Sequence, residues 1–595
     1  MFRYLRVASV LIALVIVAGS PVRAVAGDQR NHKKLDRALA AAVDRNETGP
    51  QRVIIRTRPG ARAALKLALE AHGDTIRADH PELDAFTADV QGIDLQALAN
   101  DPSVESISLD APVEAHGAAK KDAYNALRDT LGISSTPYSG AGIVVALIDS
   151  GIEPSPDFSN RIKAFYDFTQ GGIQTTAYDD YGHGTHVAGL IGSMGNLSYW
   201  YQYRGVAWGV KFVGLKVLDA DGRGYTSQVI QAIDFAVTNK KTLDIDIINL
   251  SLGHPIFESA ATDPLVRAVE RATDAGIVVV ASAGNFGQTL RGGNGTGYAG
   301  VTSPGNARSA ITVGAEKTFD TAVRSDDVVA DYSSRGPTWY DGYAKPDLVA
   351  PGDRLVSDAS INSTIYKKYP NLTITGNSNY LKLSGTSMAA GVTTGVVALV
   401  MEANREANGR TRDRLSPNAI KAILQFTAIP LRDARGVSYD NLTEGAGGLN
   451  ADGATQLASA ISLKAAPGDS WLMSPVIPST TIGGEVLTWA QNIVWGENIV
   501  WGDSIYENQS AWAQNIVWGE NIVWGDNIVW GENIVWADNI VWGDNIVWGD
   551  GLVGTLDGQN IVWSMNIVSG TNIVWGDLSD DNIVWGDNII LANIR

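Results

Sequence analysis

Apolar positions in the middle of the chain follow two spacings. Gly142–Asp149 (GIVVALID), Val210–Leu218 (VKFVGLKVL), Leu243–Gly253, Gly276–Gly284 and Ala310–Ala315 are short, nearly continuous apolar runs closed by glycine or a polar residue. That is how strands buried on both faces read. Between them, Ser227–Asn239 and Leu265–Gly276 repeat apolar residues at the spacing of amphipathic helices. The alternation predicts an α/β domain with a mostly parallel sheet flanked by helices, over residues 119–464. Ligands of such sheets sit at the carboxyl ends of the strands.

A smaller pattern precedes it. Arg52–Thr57 reads as a strand, Ala61–Gly73 as an amphipathic helix stopped by glycine, Asp74–His80 and Ala85–Gln91 as strands, Asp94–Asp101 as a helix and Ser103–Asp110 as a strand. This is a small α+β split β-α-β unit, with a core over about 50–112 inside a segment 27–118. Ala111–Ala123 is rich in Ala, Gly, His and Lys and reads as an exposed, cleavable linker. At the start, Arg3 and Arg6 precede an apolar run, Val7–Gly19, too short for the ~18–20 residues of a membrane span. Ala24-Val25-Ala26 then offers a small-x-small cleavage site. Residues 1–26 read as a signal peptide and place the protein outside the cell.

The other end changes character. After a linker at 465–487, the unit Asn-Ile-Val-Trp-Gly-Asp/Glu recurs with a period of six through 488–595, and NIVW itself occurs eleven times. In extended chain an even period puts Ile, Trp and the acid of every unit on one face. Strand plus turn, repeated, predicts a β-rich stacked array. From Glu497 to the end there are fourteen acids and one base, which keep a strongly β-forming run soluble. The tryptophans would stack on cell-wall glycans, form the core of a spacer or drive self-association; the pattern leaves these three open.

Composition narrows the chemistry. The net charge of −18 excludes an ordinary nucleic-acid binder. The absence of cysteine excludes disulfides, thiol nucleophiles and thiolate metal sites. What remains is a set of polar residues at element ends: Asp149 closing a strand, His183 opening a helix in GHGTHVAGLIG, Asn285 after ASAG, and Ser387 in LSGTSMAAG at the start of a long helix. Read singly, Asp149 and Ser387 suit helix caps and Asn285 a turn. Together they supply a nucleophile, a base and a carboxylate to orient it. His183 and His186 have no glutamate completing a zinc motif.

The strings VALIDSGI, GHGTHVAG, ASAGN and LSGTSMAAG, with INLSLG, SPGN, YSSRGP and KPDLVAPG, resemble the signature blocks of the subtilisin-like serine peptidases. The resemblance covers about Asp122 to Leu463, and the small unit before it resembles that family's inhibitory propeptide. It implies an endopeptidase made as a self-processed zymogen. Asp149, His183 and Ser387 would be the triad and Asn285 the oxyanion donor. Ser251, Leu252 and Gly253, with Ser282, Ala283 and Gly284, would pair with substrate. Peptides or proteins would be substrates, the chain's own propeptide an intramolecular inhibitor, and cell-surface contact through the array an added option. No cofactor is needed for the chemistry. Calcium is common in the family, and Asp179, Asp180, Asp219 and Asp221 are candidate ligands. One departure stands out: Gly391-Val392 stand where the family has proline and histidine after the nucleophile, which would move Ser387 slightly and alter the balance between water and an amine as second nucleophile, with transpeptidation as a minor variant. The run Ser357–Asn379 reads as a loop inserted near the cleft. The rival reading is a cell-surface or glycan-binding repeat protein with an auxiliary processing or transpeptidase domain.

Overall fold

The computed structural model describes residues 32–114, 126–288, 295–410, 414–465 and 472–491, with a few short backbone strands between 533 and 585. The expected signal peptide and the expected stacked array lie outside the described residues, apart from those strands, for example Asn533–Val535 antiparallel to Ile540–Gly543.

A nine-stranded sheet forms the centre. Ile162–Asp167, Lys211–Lys216, Val144–Asp149, Ile247–Leu250, Val278–Ser282 and Ile311–Lys317 run parallel in that spatial order. Alternate residues feed two cores. Val145, Leu147, Val278 and Val280 face one, and Val144, Ala146, Ile148, Val279 and Ala281 the other. Burial on both faces is why these strands read as continuous apolar runs rather than alternating ones. Helices Thr226–Thr238 and Pro264–Asp274 cover one face. Helices His183–Gly192 and Thr386–Ala407 cover the other.

Thr386–Ala407 is long and apolar enough to cross a membrane, yet its apolar window is wholly buried inside the protein. It is the central core helix. Small residues let it approach its neighbours: a Cβ at Gly395 would stand 2.6 Å from Cβ of Val206, and one at Gly391 would stand 3.2 Å from Val187. The helix runs unbroken through Gly391. The expected displacement of Ser387 at this departure has a simpler counterpart, close packing of two helices.

The N-terminal unit is an antiparallel sheet, Thr75–His80, Ala85–Gln91, Pro50–Thr57 and Val104–Leu109 in order, with helices Arg62–His72 and Leu95–Asn100. It docks on the larger domain at the start of helix Thr226–Thr238. Asp110 accepts from the amide and the hydroxyl of Ser227, both at 2.7 Å, and Arg52 lies over the Tyr225 ring at 4.3 Å. The stretch after Asp110, expected to be an exposed linker, is in its first residues a strand: Pro112–Glu114 pairs antiparallel with Arg223–Tyr225, and Ala111 is buried. The remainder, 115–125, lies outside the described residues.

Two further stretches differ from expectation. Ser357–Asn379 is not a plain loop. Its ends join the strands Leu355–Asp358 and Asn377–Leu383, and helix Thr364–Lys368 lies between. The second is at 465–487, expected to be a linker. Ser479–Ile482 and Glu485–Thr488 form a hairpin there, and Trp489 beyond it is 2% exposed. The Trp489 Nε1–H donates to Thr480 Oγ1 at 2.7 Å, its ring meets Phe426 edge-on, and Ala490 N–H donates to the Ala428 carbonyl. Trp489, in the main core cluster, stands six residues before Trp495, the spacing of the tryptophans in the repeat.

Replacing Trp489 with alanine is expected to remove about 3–5 kcal/mol of stability, seen as a lower thermal-unfolding midpoint at fixed scan rate. A chain ending at Gln491 should keep the full protein's midpoint, and one ending at Lys464 should not.

Candidate active site

Asp149 ends the central strand Val144–Asp149 and is fully buried. His183 opens helix His183–Gly192 opposite it, and its Nδ1 lies 2.8 Å from Asp149 Oδ1 and 3.0 Å from Oδ2. The approach needs glycine: a Cβ on Gly184 would stand 2.2 Å from the Gly151 carbonyl and 3.2 Å from Cβ of Asp149. A second buried carboxylate holds the helix start. Asp179 accepts from the amides of Gly182 and Thr185, both at 2.8 Å, from the Thr185 hydroxyl at 2.6 Å and from Ser150 Oγ at 2.9 Å. Ser150 Oγ in turn accepts from Gly184 N–H. The inserted segment braces the same loop, with Ser360 Oγ donating to the Asp179 carbonyl and Thr364 N–H to the Asp180 carbonyl.

Burial works against a charged His183, but the adjacent Asp149 carboxylate and its hydrogen bond outweigh it and raise the imidazole pKa above its ordinary value. The carboxylate on Nδ1 places the ring proton there and leaves Nε2 as the basic atom. His183 Nε2 is buried with no hydrogen-bond partner among the described residues. His186 is different. Burial drives its pKa down to about 3, with the neighbouring His183 adding to the shift, and its Nε2 sits 3.1 Å from the Leu355 carbonyl. It is a neutral core residue that turns away from His183.

Ser387 occupies the first turn of Thr386–Ala407, where amides have no intrahelical acceptor. Its hydroxyl donates to the Ser251 carbonyl at 3.0 Å. The Ser387 hydroxyl is thus bonded to a backbone carbonyl and not to His183 Nε2. Asn285 lies beside it. Its side-chain oxygen accepts from Thr386 N–H at 3.0 Å and from Thr386 Oγ1 at 3.1 Å, which leaves the amide nitrogen as the donor on this side of the helix start. Thr386 Oγ1 also accepts from Gly284 N–H at 3.1 Å. Behind the serine, Ser251 Oγ donates to the Ser387 carbonyl at 2.9 Å and lies 3.0 Å from Asn249 Oδ1, whose amide donates to Thr394.

The structure therefore brings Asp149, His183, Ser387, Asn285 and Ser251 to one place at the carboxyl ends of the strands. Leu252 and Gly253 continue from Ser251 along that edge. In Ser282–Gly284, Ala283 N–H donates to the Val313 carbonyl and its own carbonyl accepts from Thr302, while Gly284 N–H donates to Thr386 Oγ1 and its carbonyl accepts from Ser334. Patterning had Asp179 only as a candidate calcium ligand and not as the acceptor at the helix start, and it missed Thr386, Asn249 and the edge Arg223–Tyr225, where the N-terminal unit adds a strand. Of the acids considered for calcium, Asp179 is committed to the helix start, Asp180 pairs with buried Lys216 at 2.6 Å, and Asp219 accepts from the Asp221 and Arg223 amides.

A family model described as the subtilase family matches residues 140–454, just over half of the chain. The serine protease AprX of Bacillus subtilis is 39% identical over 319 residues, 53% of this chain and 66% of that one. Subtilisin E of the same organism is 32% identical over 361 residues, 60% of this chain and 81% of that one. The chain thus spans about two thirds of the first relative and four fifths of the second. Among solved structures, fervidolysin from Fervidobacterium pennivorans, a keratinolytic enzyme related to subtilisin, shares the fold with a TM-score of 0.53 at 22% identity, covering 69% of this chain and 61% of that one. With the paired Asp149 and His183 and the helix-borne Ser387 on one sheet edge, the chain belongs to the subtilase family, the subtilisin-like serine peptidases.

Proposed function

We propose that the chain is a secreted serine endopeptidase, made as a zymogen that processes itself. The observation that carries this reading is the buried Asp149–His183 pair with an unpartnered Nε2 beside a serine at a helix start. When a peptide displaces the resting contact to Ser251, the Ser387 hydroxyl turns to Nε2. His183 takes its proton as Oγ adds to the scissile carbonyl, and Asp149 stabilises the imidazolium. The oxyanion meets the Asn285 amide and the Ser387 N–H. His183 then protonates the leaving amine, and water releases the acyl group by the same steps. No cofactor takes part.

The substrate backbone lies along Ser251–Gly253 and extends as a strand on Arg223–Tyr225. The N-terminal unit already places Pro112–Glu114 on that second edge, which supports its action as an intramolecular inhibitor until the following segment is cut. The acidic array would then carry the enzyme to, or hold it at, a cell-wall or glycan surface.

Ser387→Ala should abolish peptide hydrolysis and leave the N-terminal unit attached, read by mass spectrometry of the secreted protein. A fluorophosphonate probe should label the wild-type chain at Ser387; a folded protein that takes no label would refute the enzyme reading. Asn285→Ala should lower kcat about 10²–10³-fold, the range known for one oxyanion donor in a subtilisin.

The pH dependence follows from His183. Only its neutral form accepts the serine proton, so activity should rise with pH through the pKa that Asp149 holds above the ordinary histidine range. Asp149→Asn removes the larger of the two carboxylate contributions and leaves burial, which lowers the pKa, opposed only by the more distant charge of Asp179. The acid limb of the kcat profile should therefore move to lower pH while the plateau falls by about 10⁴-fold. An unmoved limb would show that another group sets it.

A further inference from the structure

We propose that one proton held between Asp157 and Asp358 fastens the inserted segment Ser357–Asn379 to the helix His183–Gly192, and that losing it as the pH rises frees the segment. The consequence for activity rests on the serine-peptidase reading above.

Asp157 follows the central strand Val144–Asp149, and Asp358 closes the strand Leu355–Asp358. Both are buried, at 0% and 2% exposure. Asp157 has the partners of an ionised carboxylate. It accepts from the amides of Asn196 and Leu197 and from the Tyr380 hydroxyl, the last at 2.5 Å. Asp358 differs: both its oxygens are buried with no hydrogen-bond partner among the described residues. It stands opposite Tyr380 in the strand pair, within hydrogen-bond reach of Asp157. Two ionised carboxylates cannot bond to each other, and a bare buried charge is costly. A protonated Asp358 resolves both faults, because its O–H donates to Asp157.

The surrounding groups agree. Arg161 faces the pair, and its guanidinium donates to the Asp157 and Val210 carbonyls. One positive charge balances one carboxylate, not two. Lys382, two residues along the strand from Tyr380, acts on Asp320. Helix His183–Gly192 presents Gly189, where a Cβ would stand 2.4 Å from Asp358 Oδ2, and its His186 is neutral and bonded to the Leu355 carbonyl. Burial and the facing Asp157 outweigh the nearby Ser193 hydroxyl and raise the Asp358 pKa well above the ordinary carboxylate value. The segment so held reaches the active site: Ser357 Oγ donates to the His186 carbonyl and Ser360 Oγ to the Asp179 carbonyl.

A carboxyl whose pKa is raised in the folded state contributes its full stability at low pH and loses it between the ordinary and the raised value. Over that window, release of the segment should become about tenfold easier per pH unit.

The test compares the full-length Ser387→Ala chain, which cannot digest itself, with the same chain carrying Asp358→Asn, whose amide donates to Asp157 at every pH. Hydrogen exchange of amides 355–383 and the thermal-unfolding midpoint are followed from mildly acid to alkaline pH. Exchange in the parent should exceed that in the variant by a factor that grows about tenfold per pH unit until Asp358 is ionised in the closed state as well. The parent's midpoint should fall away from the variant's over the same range. Asp358→Ala, which leaves a hole, should have a lower midpoint but follow the pH course of Asp358→Asn. With Ser387 intact, Asp358→Asn should extend peptide hydrolysis to higher pH. One shared pH course for all three chains, with wild-type Ser387 labelled by the fluorophosphonate, would overturn this inference and leave the enzyme reading intact. Diverging courses with an unlabelled Ser387 would do the reverse. Calcium that raises the parent's midpoint but not that of Asp358→Asn would also overturn it, because a cation and not a proton would then hold the pair.

Discussion

The structure turns on a carboxylate and an imidazole that must meet out of water. Asp149 and His183 are both buried, and taking such a pair from solvent is costly unless every contact is well made. The fold supplies those contacts from elements far apart in sequence. A strand end presents Asp149, a glycine at 184 admits the helix close to it, and Asp179 satisfies the amides at that helix's start. The inserted segment then closes over the loop that carries Asp179. Loosening any of these would strand a buried charge, so the local glycines, the cap and the insert are parts of one requirement.

The serine side is built on a different principle. Its helix is apolar and buried along its whole core-facing length, and small residues at 391 and 395 let it lie against Val187 and Val206. Polar connections occur where the chemistry needs orientation: Thr386 fixes the Asn285 amide, and Ser251 links the serine backbone to Asn249 and Thr394. The Ser387 hydroxyl itself donates to the Ser251 carbonyl, so the helix start and the end of the strand before it are joined in both directions.

Without cysteine, the chain secures its outer parts by packing and buried ionic networks. Arg324 lies fully buried between Glu316 and Asp327 and also reaches the carbonyls of Thr130 and Leu449, which ties the first and last turns of the catalytic domain together. Glu485 of the C-terminal hairpin accepts from the Arg324 and Ser325 amides at the same seam. Lys345 and Lys421 share Asp347 in a second buried cluster. Breaking one partner of such a group is far costlier than never burying it, which makes the seam resistant to partial opening.

Much of this was legible in the residue order. Strands buried on both faces must be apolar throughout, so the α/β sheet showed itself as continuous runs, and polar residues at their carboxyl ends marked the site. Asp149, His183, Asn285 and Ser387 were readable because each interrupts an apolar element at its end. The capping role of Asp179 and the part played by Thr386 were not, because a group that acts on another residue leaves no period. The hairpin at 479–488 was hidden for a related reason: its turn-rich, polar sequence reads as a linker, and only the pocket formed by Phe426, Asn450 and Thr480 makes Trp489 a core residue. The sequence by itself determined the α/β class of the central domain and the polar residues at its element ends, since both follow from local pattern. Tertiary structure alone decided which backbone groups are already paired and where the packed core ends, because these depend on contacts between residues that no spacing connects.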